Sequence, residues 1–232
     1  MSVTIREADR VKTRDAGAAP GDSLRLAPLT GVVATLLVIA GIVVMEGVAD
    51  RPEESAPPDV VLAYFRDRDA VMGGSALYML GGLFFIWFAG ELRSSLRRAE
   101  GRDGRVSAIA FGAGVATGTL MLLIHAASFL GALYHEQLSP ETARTLFLYP
   151  MAMTGALLLA ATAAVALRTK ILPKWLAWLS LPVALWLLVP PFGSPAGTDW
   201  APPAWSGLAA LGALPFWTIA TAIALTIRGR GR

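Results

Sequence analysis

At 232 residues, with 55% hydrophobic and 16% charged side chains, the chain is richer in apolar residues and poorer in charge than a soluble domain. A mean hydropathy of +0.56 agrees that water is not its main solvent. It contains no cysteine, which excludes disulfides, thiolate metal sites and cysteine nucleophiles. Its net charge of +3 comes from basic flanks of apolar runs that would lie against anionic headgroups, so it gives no reason to expect a nucleic-acid partner.

Residues 1–25 are polar and contain Gly17, Pro20 and Gly21 without apolar periodicity, which predicts a flexible arm. A hydrocarbon core about 30 Å thick needs about 20 apolar residues in helix. Six apolar runs approach or exceed that length over residues 27–48, 71–92, 106–133, 145–167, 175–189 and 205–226. They predict an all-α, polytopic transmembrane bundle occupying 26–228, followed by a basic tail at 229–232.

Pro28 marks the start of the first run, which is too long for the apolar part of a typical signal peptide and is read as a retained anchor, although Gly47 to Ala49 resembles a cleavage end. Glu46 lies near its outer end. After Pro57-Pro58, the segment Asp59 to Asp69 brings Val61, Tyr64 and Phe65 together at helical spacing. That predicts a short interfacial helix, either a headgroup anchor or a lid over an outer cavity.

The second run carries a stripe of Gly74, Tyr78, Gly81, Phe85 and Phe88 and continues as helix into a basic stretch from Arg93. Glu91 beside Arg93 and Arg97 predicts an interfacial ion pair. In the third run, at 100° per residue, Gly114, Thr117, Gly118, Met121, His125 and Ser128 share one narrow face, with Leu123 and Leu130 opposite. Small residues let helices approach closely, so this face should pack inside the bundle, against the stripe of the second run, with Tyr78 or Glu46 meeting His125.

Ser139-Pro140-Glu141, with Ser139 as cap, should start the fourth helix, Pro173 the fifth and Pro202-Pro203 the sixth. Pro182 and Pro215 interrupt the last two runs, which neighbouring helices in a bundle tolerate. Trp175, Trp200 and Trp205 lie near span ends, as interfacial anchors do. Thr154, Thr162, Thr218 and Thr221 read as groups that satisfy backbone carbonyls or bridge helices. The runs form three hairpins without a sequence repeat, which gives no support to an inverted-repeat transporter.

Positively charged loops stay in the cytoplasm. One side holds Arg6, Arg10, Lys12, Arg14, Arg25, Arg93, Arg97, Arg98, Arg102, Arg105, Arg168, Lys170, Lys174, Arg228, Arg230 and Arg232; the other holds Arg51, Arg66, Arg68 and Arg144. That division of 16 against 4 predicts a plasma-membrane protein with both termini cytoplasmic.

Intramembrane ionisable groups are costly, so Glu46, Glu91 and His125 are the groups to explain. His125 is either a hydrogen-bonded residue that fixes helix register, a proton-handling or ligand-binding group, or a metal or haem ligand. The other histidine, His135, lies beyond the third run between Tyr134 and Glu136; the pair does not suit axial haem ligation from facing helices. No zinc spacing, phosphate-cradling glycine loop or Ser-His-acid motif is present. No cofactor or metal is expected.

The string Ala166-Leu-Arg-Thr-Lys-Ile-Leu-Pro-Lys-Trp-Leu-Ala-Trp-Leu-Ser180, with Ala63-Tyr-Phe-Arg-Asp-Arg-Asp69 and Leu92-Arg-Ser-Ser-Leu-Arg-Arg-Ala-Glu-Gly101, resembles uncharacterised actinobacterial six-span membrane proteins. These combine an outer helix containing Tyr with a Leu-Pro-x-Trp-Leu turn. The resemblance spans most of residues 28–228 and implies topology only, with no catalytic residue to carry over.

The leading expectation is a non-enzymatic bundle that binds a lipid or apolar ligand, or a membrane protein partner or second copy of itself. His125, Ser128, Tyr78, Glu46 and Tyr64 are its ligand-contacting candidates. One alternative is a small membrane enzyme acting on a lipidic, terpenoid-like substrate with Glu46, His125 or Asp199 as general acid or base. The other is a transporter or transporter subunit.

Overall fold

The computed structural model describes residues 27–45, 57, 59–60, 63, 68–101, 103–134, 144–192 and 204–230. Within these helices the side chains at 68, 131–134, 144–145, 190–192, 204–211 and 229–230 are left aside. Among the described residues the protein is all-α. A 3-10 turn, Ala27–Leu29, leads into α1 (Thr30–Val43); α2 (Arg68–Glu100), α3 (Arg105–Tyr134), α4 (Tyr149–Thr169), α5 (Lys174–Phe192) and α6 (Ala204–Arg230) follow, with a π turn at Arg144–Leu148 before α4. Six helices thus stand on the six apolar runs.

Three of them, over Asp69–Glu100, Arg105–Leu130 and Leu146–Thr169, are long and apolar enough to cross a membrane, and three apolar stretches are shorter: Ala27–Val43, Lys174–Val189 and Gly212–Arg228. The three long helices point to a membrane location. At 33 residues, α2 is about 50 Å long, well beyond the ~30 Å of a hydrocarbon core. Its surplus is the basic stretch Arg93 to Glu100.

Each helix packs against the next, and α6 also packs against α1 and the turn before it, closing the bundle. Neighbours run antiparallel, as their meeting points show. Gly41 meets Gly74 and Gly81 meets Val38 across α1–α2, while Gly82 meets Gly118 and Ala89 meets Gly114 across α2–α3. The Lys and Arg of the last turns of α2, α4 and α6 and of the first turns of α3 and α5 therefore gather at one end of the bundle, whereas Arg68 and Arg144 open α2 and the π turn at the other. The former is called the basic end below.

The seam between α1 and α2 is built by removing side chains. A Cβ on Gly41 would lie 2.7 Å from the carbonyl oxygen of Gly74, and one on Gly74 would lie 2.9 Å from that of Gly41. Backbone cannot retreat as a side chain can, so only glycine permits this approach. The stripe of α2 through Gly74, Gly81 and Phe88 consequently faces α1, meeting Met45, Val38 and Gly31. For these residues this corrects the expectation that the stripe packs on α3; α3 rests on the adjacent face, against Gly82, Ile86 and Ala89, and meets Tyr78 of the stripe through His125, as expected.

At the basic end α4 stops on Lys170, whose φ of 57° places it in the left-handed region, and whose N–H donates to Ala166 O at 2.8 Å. Pro173 then starts α5, accepting from the N–H groups of Leu176 and Ala177. Arg228 of α6 donates a hydrogen bond to the Lys170 carbonyl, fastening the end of α6 to this turn. On the α2–α3 turn, Glu100 spans the gap. Its Oε1 accepts from Val106 N–H at 2.9 Å and its Oε2 from Ser107 N–H at 2.8 Å, satisfying two of the orphan donors that open α3.

Candidate binding crevice beside Tyr78 and His125

Glycines position the candidate site. Gly118 lets α3 settle on Gly82, so that a Cβ on either would lie 3.2 Å from the other's carbonyl oxygen. Two helical turns outward from Gly118 on α3 stands His125, and one turn outward from Gly82 on α2 stands Tyr78. Antiparallel packing brings these rings together. Their centroids are 3.6 Å apart with 30° between planes, a stacked pair.

Tyr78 is 8% exposed; its other neighbour is α1, where its backbone nitrogen would lie 3.0 Å from a Cβ on Gly41. Met45 covers the same seam and accepts a contact from Ser75 Oγ at 3.7 Å through its sulfur. His125 is only half-buried. It thus has a wall behind it and accessible surface beside it.

Below the pair, toward the basic end, the face of α3 is closed. Met121 and Thr117 are buried, and Thr117 Oγ1 lies 3.0 Å from Thr154 Oγ1 of α4. Each hydroxyl has one proton, and donation from Thr117 to Thr154 leaves Thr154 to donate to Pro150 O at 2.9 Å. The expected inward face of α3 is therefore inward, and Leu123 and Leu130, opposite, are 46% and 51% exposed.

Above the pair, the packing opens on one side. No described residue is buried over Leu122–Leu130 of α3, over Leu146–Thr154 at the start of α4, or over Gly212–Phe216 of α6. At the same level α1 and α2 still bury Gly41, Met45, Val71, Gly74 and Ser75. A tightly packed helix buries one residue in three or four on its inner face, so these stretches of α3, α4 and α6 are less enclosed than α1 and α2 at the same level. This less enclosed region, at the end opposite the basic one, is the candidate crevice, with half-buried His125 at its inner limit and half-buried Ser128 one turn further out. Ser128 Oγ donates to its own helix at Ile124 O, 3.3 Å away.

A separate cleft of about 360 Å³ lies at the basic end between Glu100, Asp103 and Val106 on one side and Ala164, Val165, Arg168 and Thr169 on the other. Val106 and His125 are 19 positions apart on one helix, about 28 Å. This cleft is thus remote from the histidine. Glu100 in its wall is already committed to the start of α3: partial desolvation raises its carboxyl, and the N–H groups of Ser107 and Val106 outweigh that and hold it below the usual carboxylate range.

Of the other sequence-derived site residues, Glu46, Tyr64 and Asp199 lie outside the described residues, as do His135, Ser139 and most of the segment Asp59 to Asp69. Glu91 forms no ion pair with Arg93 or Arg97 among the described residues. Positions two and six apart on a helix point away from each other, and Arg93 instead lies 5.0 Å above the Phe111 ring. No group of three His, Asp or Glu side chains able to hold a metal occurs among the described residues.

The sequence did not single out Trp217. It is 0% exposed and its Nε1 donates to Ser180 Oγ of α5 at 2.7 Å. Its position well inside an apolar run, rather than at the end, is the signal that distinguishes it from Trp175, which is 55% exposed at the start of α5. No family model, curated protein or solved structure matches this chain.

Proposed function

We propose that this protein is a six-span component of the plasma membrane, with both termini cytoplasmic, that holds a lipid or other apolar molecule in the crevice beside His125. The single observation that carries the reading is the asymmetry around that residue. One face of the imidazole is backed by buried Tyr78, and no described residue of α3, α4 or α6 at the same level is buried. Ligand pockets pair apolar walls with a few polar groups that fix orientation, and His125 with Ser128 supplies such groups among aliphatic neighbours.

The topology follows from the 16-to-4 distribution of Lys and Arg, because the helix ends that carry the larger share converge on one end of the bundle. Kinship with the actinobacterial six-span group is part of the same proposal and rests on the strings around the α4–α5 turn and the end of α2. Binding, rather than catalysis, is favoured because the described crevice offers a histidine, a serine and a tyrosine, without a carboxylate to share a proton.

Native mass spectrometry of the protein released from membranes in mild detergent tests the reading. A discrete apolar mass retained by the natural protein and lost from His125→Ala, with the helical content of both unchanged, is the expected result. Identical retained masses in the two proteins, consisting of bulk lipid alone, would overturn it. A retained second protein would replace ligand binding by assembly.

A further inference from the structure

At the opposite end of the molecule, Arg93 stands at a depth where charge needs a counterion. The apolar part of α2, residues 71–92, is 22 positions long, about 33 Å. Arg93 follows it directly, at the level of the phosphates if the helix spans a bilayer. Its guanidinium lies 5.0 Å over the ring of Phe111 on α3, and its Nε is buried without a hydrogen-bond acceptor. Arg97, one turn on, shares this face, its Cγ passing 3.5 Å from where a Cβ on Gly104 would stand.

The carboxylates nearby do not neutralise the pair. Glu91 points to another face of α2, both oxygens of Glu100 accept from the Val106 and Ser107 N–H groups, and Asp103 is exposed on the turn. Arg98 points elsewhere and donates to Ser95 Oγ at 3.2 Å. A guanidinium over an aromatic ring with its Nε buried keeps its two terminal nitrogens for a bidentate acceptor, and phosphate is the acceptor that such forks suit.

We infer that Arg93, over Phe111 between α2 and α3, and the exposed Arg97 one turn on form a binding site for the phosphate of an anionic phospholipid. The two helices supply the apolar surface along which the acyl chains lie, and the arginines supply the headgroup contact. Basic pockets between helices on the positively charged side recognise lipid headgroups by this chemistry. The site is independent of His125 and rests only on the protein's lying in a membrane.

Native mass spectrometry of the intact detergent-solubilised protein, titrated with phosphatidylglycerol or phosphatidylcholine, reads the site directly. Phosphatidylglycerol should occupy it in preference to phosphatidylcholine, and Arg93→Ala and Arg97→Ala should each lower that occupancy by about fivefold to tenfold, the loss of one charged hydrogen-bonding group. Arg98→Ala should leave it unchanged, and Arg93→Lys, which keeps the charge and the fold but loses the planar fork, should fall between. Equal occupancy by the two lipids, or no loss in Arg93→Ala and Arg93→Lys, overturns the site. Saturation by millimolar inorganic phosphate without lipid overturns the lipid as its occupant. A loss of His125-dependent binding leaves these outcomes untouched.

Discussion

The indole N–H of Trp217 donates to Ser180 Oγ at 2.7 Å, and Ser180 in turn donates to Leu176 O at 2.8 Å. The serine hydroxyl thus holds α6 to α5 while back-bonding within its own helix. The two partners are not equivalent. In Trp217→Phe the serine keeps its acceptor, whereas in Ser180→Ala the indole is left buried with nothing to bond.

Ser180→Ala should therefore lower stability by about 1 kcal/mol despite deleting a single oxygen, and Trp217→Phe should show little additional cost from lost hydrogen bonding beyond its loss of volume. Thermal unfolding of the two single variants and the double variant, assembled as a cycle, checks this. Additive effects would mean that the bond contributes nothing.

Gly74→Ala and Gly41→Ala should each destabilise the α1–α2 seam by several kcal/mol, because the new Cβ atoms would press on opposing carbonyl oxygens. Gly73→Ala and Gly90→Ala meet nothing within 4 Å and should stabilise by roughly 0.5–1 kcal/mol through helix propensity. Thermal melts in one detergent compare the four. Equal behaviour of the neighbours Gly73 and Gly74 would refute the packing.

Glu100→Ala should cost about 1 kcal/mol, as loss of a helix-start acceptor does. Because the carboxyl is held below its usual range in the folded protein, its contribution is complete at neutral pH. It is lost as pH falls through that lowered folded-state value. The stability difference between the natural protein and Glu100→Ala should therefore shrink below the ordinary carboxylate range and stay constant above it; a difference that persists in strong acid would contradict the carboxylate's role.

The absence of cysteine makes topology directly measurable. Ser2→Cys and Arg232→Cys should react with an impermeant maleimide only in inverted vesicles, and Glu54→Cys only in right-side-out cells. Labelling of all three from one side would overturn the orientation.

Periodicity made the inward face of α3 legible, because residues that share a helical face announce it through a 100° step. It could not say which helix that face meets. Gly74 and Gly81 carry the same pattern whether the neighbour is α1 or α3, and the choice is made by the backbone approaches at Gly41 and Ala34. The expected Glu91 pair does not form because positions two and six apart on a helix face different directions. Glu100 as the support of α3 was invisible for the converse reason: its partners lie six and seven residues away, across a turn whose geometry depends on left-handed glycines at 101 and 104.

The hydrogen bond from Arg228 to the Lys170 carbonyl also fixes an order of events. Helix α6 is made after the five helices before it, yet it packs against α1 as well as α5. Until it emerges from the ribosome, the nascent chain holds an unsealed ring whose first and fifth members lack their neighbour. Domains assemble from the N-terminal side as synthesis proceeds, so the latch at Lys170 is among the last contacts to form. The interval before it closes is when an insertion chaperone would have a surface to hold.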